Sequence, residues 1–354
     1  FSINLSSLNG SNGFRLDGVA AGDLSGWSVS NAGDVNGDGF DDLIVGAFRA
    51  DSNGYNGSGS SYVVFGQASG FSATMNLSTL NGSNGFRLDG AAYDESGRSV
   101  SNAGDVNGDG FDDVIVGAPH ADPNNHDSGS SYVVFGKASG FNAAMNLSSL
   151  DGSNGFRLDG ESFFDFSGIS VSTAGDVNGD GFDDLIVGST ESISYVVFGQ
   201  ASGFSAAMNL STLNGNNGFR LDGEATDDLS GYSVSTAGDV NGDGFGDLIV
   251  GADGADPNGP SSGSSYVVFG QASGFSAAMN LSSLNGSNGF RLDGEAAYNE
   301  LGDSVSKAGD VNGDGFDDVI VGAPGADPNG TNSGSSYVVF GKASGFSAAM
   351  DLSS

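Results

Sequence analysis

Five times the sequence crowds acids and glycines into one short turn, first as DVNGDGFDD at residues 34–42. With Asp34 as position 1, oxygens arrive at positions 1, 3, 5, 7 and 9 from Asp34, Asn36, Asp38, the main-chain carbonyl of Phe40, and Asp42. Alternate residues of a curled loop point to one centre, and Gly37 and Gly39 permit the positive φ that such a curl requires. The same offsets give Asp105, Asn107, Asp109, Phe111 and Asp113; Asp176, Asn178, Asp180, Phe182 and Asp184; Asp239, Asn241, Asp243, Phe245 and Asp247; and Asp310, Asn312, Asp314, Phe316 and Asp318. Each set offers three carboxylates, an amide oxygen and a carbonyl, with no nitrogen or sulfur donor. That chemistry suits a hard cation needing about six to eight oxygens, and Ca2+ fits it better than magnesium or zinc. About five calcium ions, one per copy, are the expected cofactor. A lone Asn-Gly-Asp-Gly is an ordinary turn. Five complete sets in phase are not, because carboxylates ~4 Å apart repel by on the order of 1 kcal/mol per pair even in water.

The first half of each turn is similar to an EF-hand loop, with Gly39 at its sharp-turn position. The second half departs from it. Position 12, where an EF-hand has a bidentate Glu, is Val45, Val116, Val187, Val250 and Val321, and an apolar strand follows instead of a helix. Position 8 is Asp41, Asp112, Asp183 and Asp317, but Gly246 in the fourth copy, so it reads as outward-facing and dispensable for the metal.

The elements that must hold these turns recur with them. DVNGDG starts at Asp34, Asp105, Asp176, Asp239 and Asp310, spacings of 71, 71, 63 and 71 residues. The short spacing follows the third copy, where the loop from Gly188 to Ile193 lacks a polar stretch present elsewhere, as expected of a trimmed surface loop. Each copy runs FRLDG, a polar loop, SVSNAG, the acidic turn, DLIVGA, a variable loop and SYVVFG, which predicts four short strands. A longer segment then leads to the next FRLDG; the chain opens inside one, at Ile3–Gly10, and its Phe, Met and Leu residues predict an ordered connection. A four-stranded sheet cannot bury both faces alone, so neighbours must stack on it, and radial stacking is the propeller solution. The expectation is an all-β chain, residues 1–354 forming a single β-propeller of five four-stranded blades, repeats of about 71 residues, closed by the N-terminal strand completing the last blade.

Formal net charge is −34 with only 10 Lys+Arg, which excludes nucleic acid as a partner. No apolar run approaches the ~20 residues of a membrane helix, so no membrane insertion is expected. There is no cysteine, so rigidity outside a cell would have to come from metal rather than disulfides. The start at Phe1 rather than Met reads as a processed or excised piece of a longer protein.

The run SVSNAGDVNGDGFDDLIVGA followed by SYVVFG resembles the FG-GAP repeat, whose Phe-Gly and Gly-Ala-Pro stand here as Phe135-Gly136 with Gly117-Ala118-Pro119, and Phe340-Gly341 with Gly322-Ala323-Pro324. The third and fourth copies replace the latter by Gly188-Ser189-Thr190 and Gly251-Ala252-Asp253. The family includes the propeller of integrin α-subunits, and the near-identical copies look most like arrays in large bacterial secreted or surface proteins. The resemblance implies a calcium-bearing propeller outside the cytoplasm, extracellular or at the cell surface, serving adhesion or assembly. Integrin propellers have seven blades of which only some carry calcium, so five calcium-bearing copies depart from that pattern.

Three functions from different classes follow. One is a non-catalytic, calcium-stabilised extracellular module for adhesion or contact with a protein or cell-surface ligand. Another is a self-assembling structural subunit of a filament or surface layer, binding copies of itself. The third is a propeller enzyme. A glycosidase needs two carboxylates in different environments near the axis. The expected inner strands, such as Trp27-Ser28-Val29-Ser30 and Tyr232-Ser233-Val234-Ser235, carry none, with Asp303 the nearby exception, so no enzyme is expected. Loops that vary on a constant scaffold favour the binding module. Arg15, Arg87, Arg157, Arg220 and Arg291 read as structural partners of nearby acids such as Asp17. Phe65, Phe135, Phe198, Phe269 and Phe340 read as packing between blades. His120 and His126 share one variable loop and have no counterparts in other copies.

Overall fold

Short β-branched runs separated by glycine-rich turns dictate strands, and the computed structural model consists of them, with a few single-turn 3-10 segments. It describes residues 4–54 and 56–352, so Phe1 and Ile3 lie outside it. In the first blade an inner strand Ser28–Gly33 pairs antiparallel with Asp42–Ala47, which pairs with Ser60–Val64, which pairs with an outer strand Gly85–Asp89. The outer strand is thus the FRLDG of the following copy, and blades straddle the sequence repeats. Blades two to four repeat this order from inner strands Ser99–Gly104, Ser170–Gly175 and Ser233–Gly238.

The expected four strands gain a fifth. The connecting segment contributes a three-residue rim strand, Ala144–Asn146 in the first blade, which runs parallel to the outer strand and pairs Met145 with Leu88. A 3-10 turn follows, Leu147–Ser149, burying Leu147. The connection is ordered, as its apolar residues predicted. Its Phe141 stacks on Phe86 at 4.7 Å between centroids and 10° between planes, with Phe65 edge-on to both. A buried ring of this kind contributes about 1.5–3 kcal/mol. In the third copy the trimmed loop is a tight hairpin, with the Ser189 amide donating to the Ile193 carbonyl at 3.0 Å.

Inner strands pack on one another in sequence, first on second through fourth on fifth, and the core lies between blades rather than within them. Ile44, Val63 and Phe65 of the first blade share a cluster with Val100, Val114 and Val116 of the second. Second strands such as Asp113–Ala118 are buried along their whole length, which is why they read as unbroken apolar runs.

The expected closure of the ring is not seen among the described residues. The last blade has three strands, Ser304–Gly309, Asp318–Ala323 and Ser335–Val339, and the third of these has no outer partner among the described residues. The N-terminal strand Arg15–Asp17 pairs instead with the rim-type strand Thr74–Asn76. The five sheets are consistent with propeller blades, but they form an open series. Phe340, read as packing between blades, is therefore exposed, while Phe65, Phe135, Phe198 and Phe269 are buried as expected.

Candidate functional site

Each acidic turn joins an inner strand to a second strand, at one end of its blade. A bulge between Asn31 and Gly33 ends the inner strand, and Gly37 and Gly39 take φ of 70° and 87°, values only glycine adopts freely. The first aspartate caps the turn: the Asp38 amide donates to Asp34 Oδ1 at 3.0 Å and the Gly39 amide to Oδ2 at 2.8 Å. Asn36 Oδ1 accepts from the Asp38 amide at 2.9 Å, and Asp38 Oδ1 from the Phe40 amide at 3.0 Å. The same four bonds recur in the other copies.

Position 9 lies deeper. Asp42 is fully buried, and its carboxylate accepts from the Val35 amide at 3.0 Å and the Gly66 amide at 2.7 Å, tying the turn to the end of the third strand. Asp113, Asp184, Asp247 and Asp318 bind the corresponding amides. Burial pushes Asp42 and Asp247 up to about 7 and Asp113 and Asp184 up to about 8, against the pull of their amide partners; the charges of the aspartates at positions 1 and 5 of these four turns add to the rise. So much uncompensated negative potential is what a bound cation would relieve, and the oxygen-only donor set fits a hard one.

The structure therefore gathers all of the expected residues of each set into one turn, with Asp34, Asn36 and Asp38 at its rim and Asp42 at its base. The carboxylates cap amides rather than crowding together. Among the described residues, the His, Asp or Glu trio whose ligand atoms all lie within 4.8 Å of one another is Asp122, His126 and Asp127, in a variable loop. There Asp127 hydrogen-bonds His120 Nδ1 at 3.0 Å and lies 2.8 Å from His126 Nδ1.

Position 8 is not outward-facing where a blade precedes it. Asp112 Oδ2 accepts from the Asp34 amide of the previous blade at 2.7 Å, and Asp183 and Asp317 do the same for Asp105 and Asp239 at 2.9 Å. Asp41 has no preceding blade among the described residues and is exposed. Gly246 lacks the carboxylate and keeps only the main-chain half of the joint, its amide donating to the Asp176 carbonyl at 2.8 Å as the Asp112 amide does to the Asp34 carbonyl at 3.3 Å. Inner-strand serines, read only as hydroxyls without an acid, also bridge blades: Ser28 Oγ accepts from the Val100 amide at 3.0 Å. A near-constant residue beside a ligand set was the one sequence signal for such a bridge. The repeated arginines pair as expected, Arg15 with Asp17, Arg87 with Asp89, Arg157 with Asp159, Arg220 with Asp222 and Arg291 with Asp293.

The turn with its two flanking strands and the third strand is the unit that recurs in known proteins. The profile of the FG-GAP repeat matches residues 25–64, 96–134, 167–203, 230–268 and 301–339. This chain belongs to the FG-GAP repeat family. It is similar to integrin alpha-PS5 of Drosophila melanogaster, 33% identical over 164 residues, which is 44% of this chain and 14% of that protein. Integrin alpha-V of Gallus gallus is 29% identical over 248 residues, 67% of this chain and 21% of that protein. Integrin alpha pat-2 of Caenorhabditis elegans is 33% identical over 174 residues, 48% of this chain and 14% of that protein. The chain thus spans about a fifth or less of these relatives, and a bacterial source is not shown by them. Each FG-GAP match begins just before an inner strand and runs to the end of the third strand, or six residues past it in the third match, so every acidic turn lies inside one.

Proposed function

We propose that this chain is a non-catalytic, calcium-binding module that works outside the cell, in adhesion or protein contact. The observation that supports it most is the fivefold recurrence of a complete oxygen-only donor set on one fold element. Asp34, Asn36, Asp38, the Phe40 carbonyl and Asp42, with their counterparts, would hold one Ca2+ per blade. The ion would neutralise the turn and fasten the inner strand to the second and third strands. Five ions would bring the formal charge from −34 to −24.

Antiparallel connection supports a contact surface at the end of the blades opposite the acidic turns. Acidic turns occupy one end of the blades, so the variable loops between second and third strands, and those leading from an outer strand to the next inner strand, lie at the other. Exposed Tyr93, Phe163, Phe164 and Tyr298 cluster in the latter loops. Tyr93, Phe164 and Tyr298 also take left-handed φ of 67°, 59° and 64°, a strain that bulky residues bear mainly where function requires it. Exposed aromatics on variable loops, facing away from the metal, suit recognition of a protein. Catalysis has no comparable support: inner-strand serines are engaged between blades, and Asp303 is exposed. No helix of the described residues is long and apolar enough to cross a membrane.

The test is calcium titration by calorimetry together with thermal melting. About five ions should bind per chain, EDTA should lower the melting temperature by 10 °C or more, since linkage of about 2–4 kcal/mol per ion adds over five sites, and added Ca2+ should restore it. A melt indifferent to both reagents would overturn the metal assignment.

A further inference from the structure

One variable loop carries chemistry that its counterparts lack. Between the second and third strands of the second blade, residues 121–129 read ADPNNHDSG, where the fourth blade has ADPNGPSSG and the fifth ADPNGTNSG. The frame of the loop is the same in all three. Asp122 accepts from the Asp127 amide at 2.6 Å, as Asp256 does from the Ser261 amide at 2.6 Å and Asp327 from the Asn332 amide at 2.5 Å. The Gly129, Gly263 and Gly334 amides donate to the Ala121, Ala255 and Ala326 carbonyls. Asp127, Ser261 and Asn332 take left-handed φ of 51°, 46° and 51°. The loop therefore folds with Pro260-Ser261 or Thr331-Asn332 in place of His126-Asp127, and with Gly254 or Gly325 in place of His120. Two imidazoles and an added carboxylate are not needed to build it.

What these residues add is a convergence of donors. His120 and His126 are the only histidines of the sequence. Both meet Asp127, one carboxylate oxygen at His120 Nδ1 and the other at His126 Nδ1. One donor atom each from Asp122, His126 and Asp127 lies within 4.8 Å of the other two. On its far side the His120 ring presents Nε2 to Glu95 at 3.6 Å. The main chain beneath the donors is fastened to the loop that leads into the third blade. The His126 and Asp127 carbonyls accept from the Phe164 and Phe166 amides at 3.1 and 3.0 Å, and Asn125 Nδ2 donates to the Glu161 carbonyl at 3.0 Å. The same loop supplies rings to both imidazoles, Phe166 edge-on to His120 at 5.2 Å and Phe164 5.4 Å from His126.

We propose that Asp122, His126 and Asp127 hold a zinc ion, with His120 as a positioning residue that orients the Asp127 carboxylate. An imidazole nitrogen with two carboxylate oxygens is a borderline donor set, unlike the oxygen-only sets of the acidic turns, and it selects a borderline metal over calcium. A tetrahedral zinc ion ~2.0–2.1 Å from its donors holds them about 3.4 Å apart, so rotation of the exposed Asp122 and His126 side chains closes a trio already within 4.8 Å. One Asp127 oxygen faces the ion while the other is held by His120, which in turn leans on Glu95, the outer support that zinc ligands use. Three protein ligands leave a fourth position open to water or to a donor from a partner. That position lies beside the exposed Phe163 and Phe164, at the blade end opposite the acidic turns.

Calorimetric titration of the full chain with ZnCl2 tests this, in excess Ca2+ to keep zinc out of the oxygen-only turns. One Zn2+ per chain should bind with a Kd of about 10 µM or tighter. His126→Thr combined with Asp127→Asn copies the fifth blade, so it should abolish that binding and leave the zinc-free melting temperature unchanged. His120→Gly copies the fourth blade and should weaken binding about tenfold. Co2+ in place of zinc should give the intense visible absorption of a tetrahedral site, lost in the double variant. Wild type and variants share all five acidic turns, so the differences between them report this loop whether or not the turns hold calcium. Zinc binding weaker than this in the wild type, or equally tight in the double variant, overturns the proposal and leaves the contacts of Asp127 as hydrogen bonds alone.

Discussion

A single side chain can be a metal-loop neighbour in one blade and a tether in the next. Asp112 bonds the Asp34 amide across a joint, while Asp41, at the same sequence position, is exposed, with no preceding blade among the described residues. Asp112→Ala should cost about 1–3 kcal/mol, since it leaves a half-buried amide without its charged acceptor, whereas Asp41→Ala should stay within about 0.5 kcal/mol. Urea unfolding of the two variants checks the contrast at concentrations where the chain is monomeric. Equal losses would mean that the carboxylate acts within its own turn and not between blades. The proposed ligand set could be read as a pattern because it lies within nine consecutive residues. The tether was not, because its partner is 78 residues away.

At the scale of elements, the joint between blades is where packing becomes specific. Gly108 lies under the Phe182 ring with φ of 70°, and its Cβ would stand 2.3 Å from a ring carbon; Gly313, with φ of 77°, faces open space. Gly313→Ala should therefore show the backbone strain alone, about 1 kcal/mol, and Gly108→Ala that strain plus about 1–3 kcal/mol of overpacking. Chemical denaturation of the pair separates strain from overpacking, and equal values would show that the ring gives way at no cost. The four principal strands of each blade could be read from alternation and turn chemistry. The rim strand could not: three residues carry too little pattern, and it exists because a neighbouring outer strand offers an edge to pair with.

For the whole molecule, charge is the largest imbalance to be offset. With −34 spread over five stacked sheets, like charges oppose the compact state wherever no cation offsets them. Raising the ionic strength from about 0.05 to 0.5 M should stabilise the EDTA-treated protein more than the calcium-loaded one, because the Debye length falls from about 14 Å to about 4 Å and screens the uncompensated repulsion. Melting curves across a salt series check this. Parallel curves with and without calcium would place the repulsion outside the acidic turns.

By itself the sequence determined what is local: the principal strands, the acidic turns and the five repeats, because backbone propensity and loop chemistry act over a few residues. Only the tertiary structure decided which blade each aspartate reaches, where the fifth strand pairs, and that the N-terminal strand does not complete the last blade among the described residues. The physical reason is the repetition itself. Near-identical copies make every joint look alike in sequence, and whether the last blade meets the first depends on how the small rotation between sheets accumulates through the whole stack.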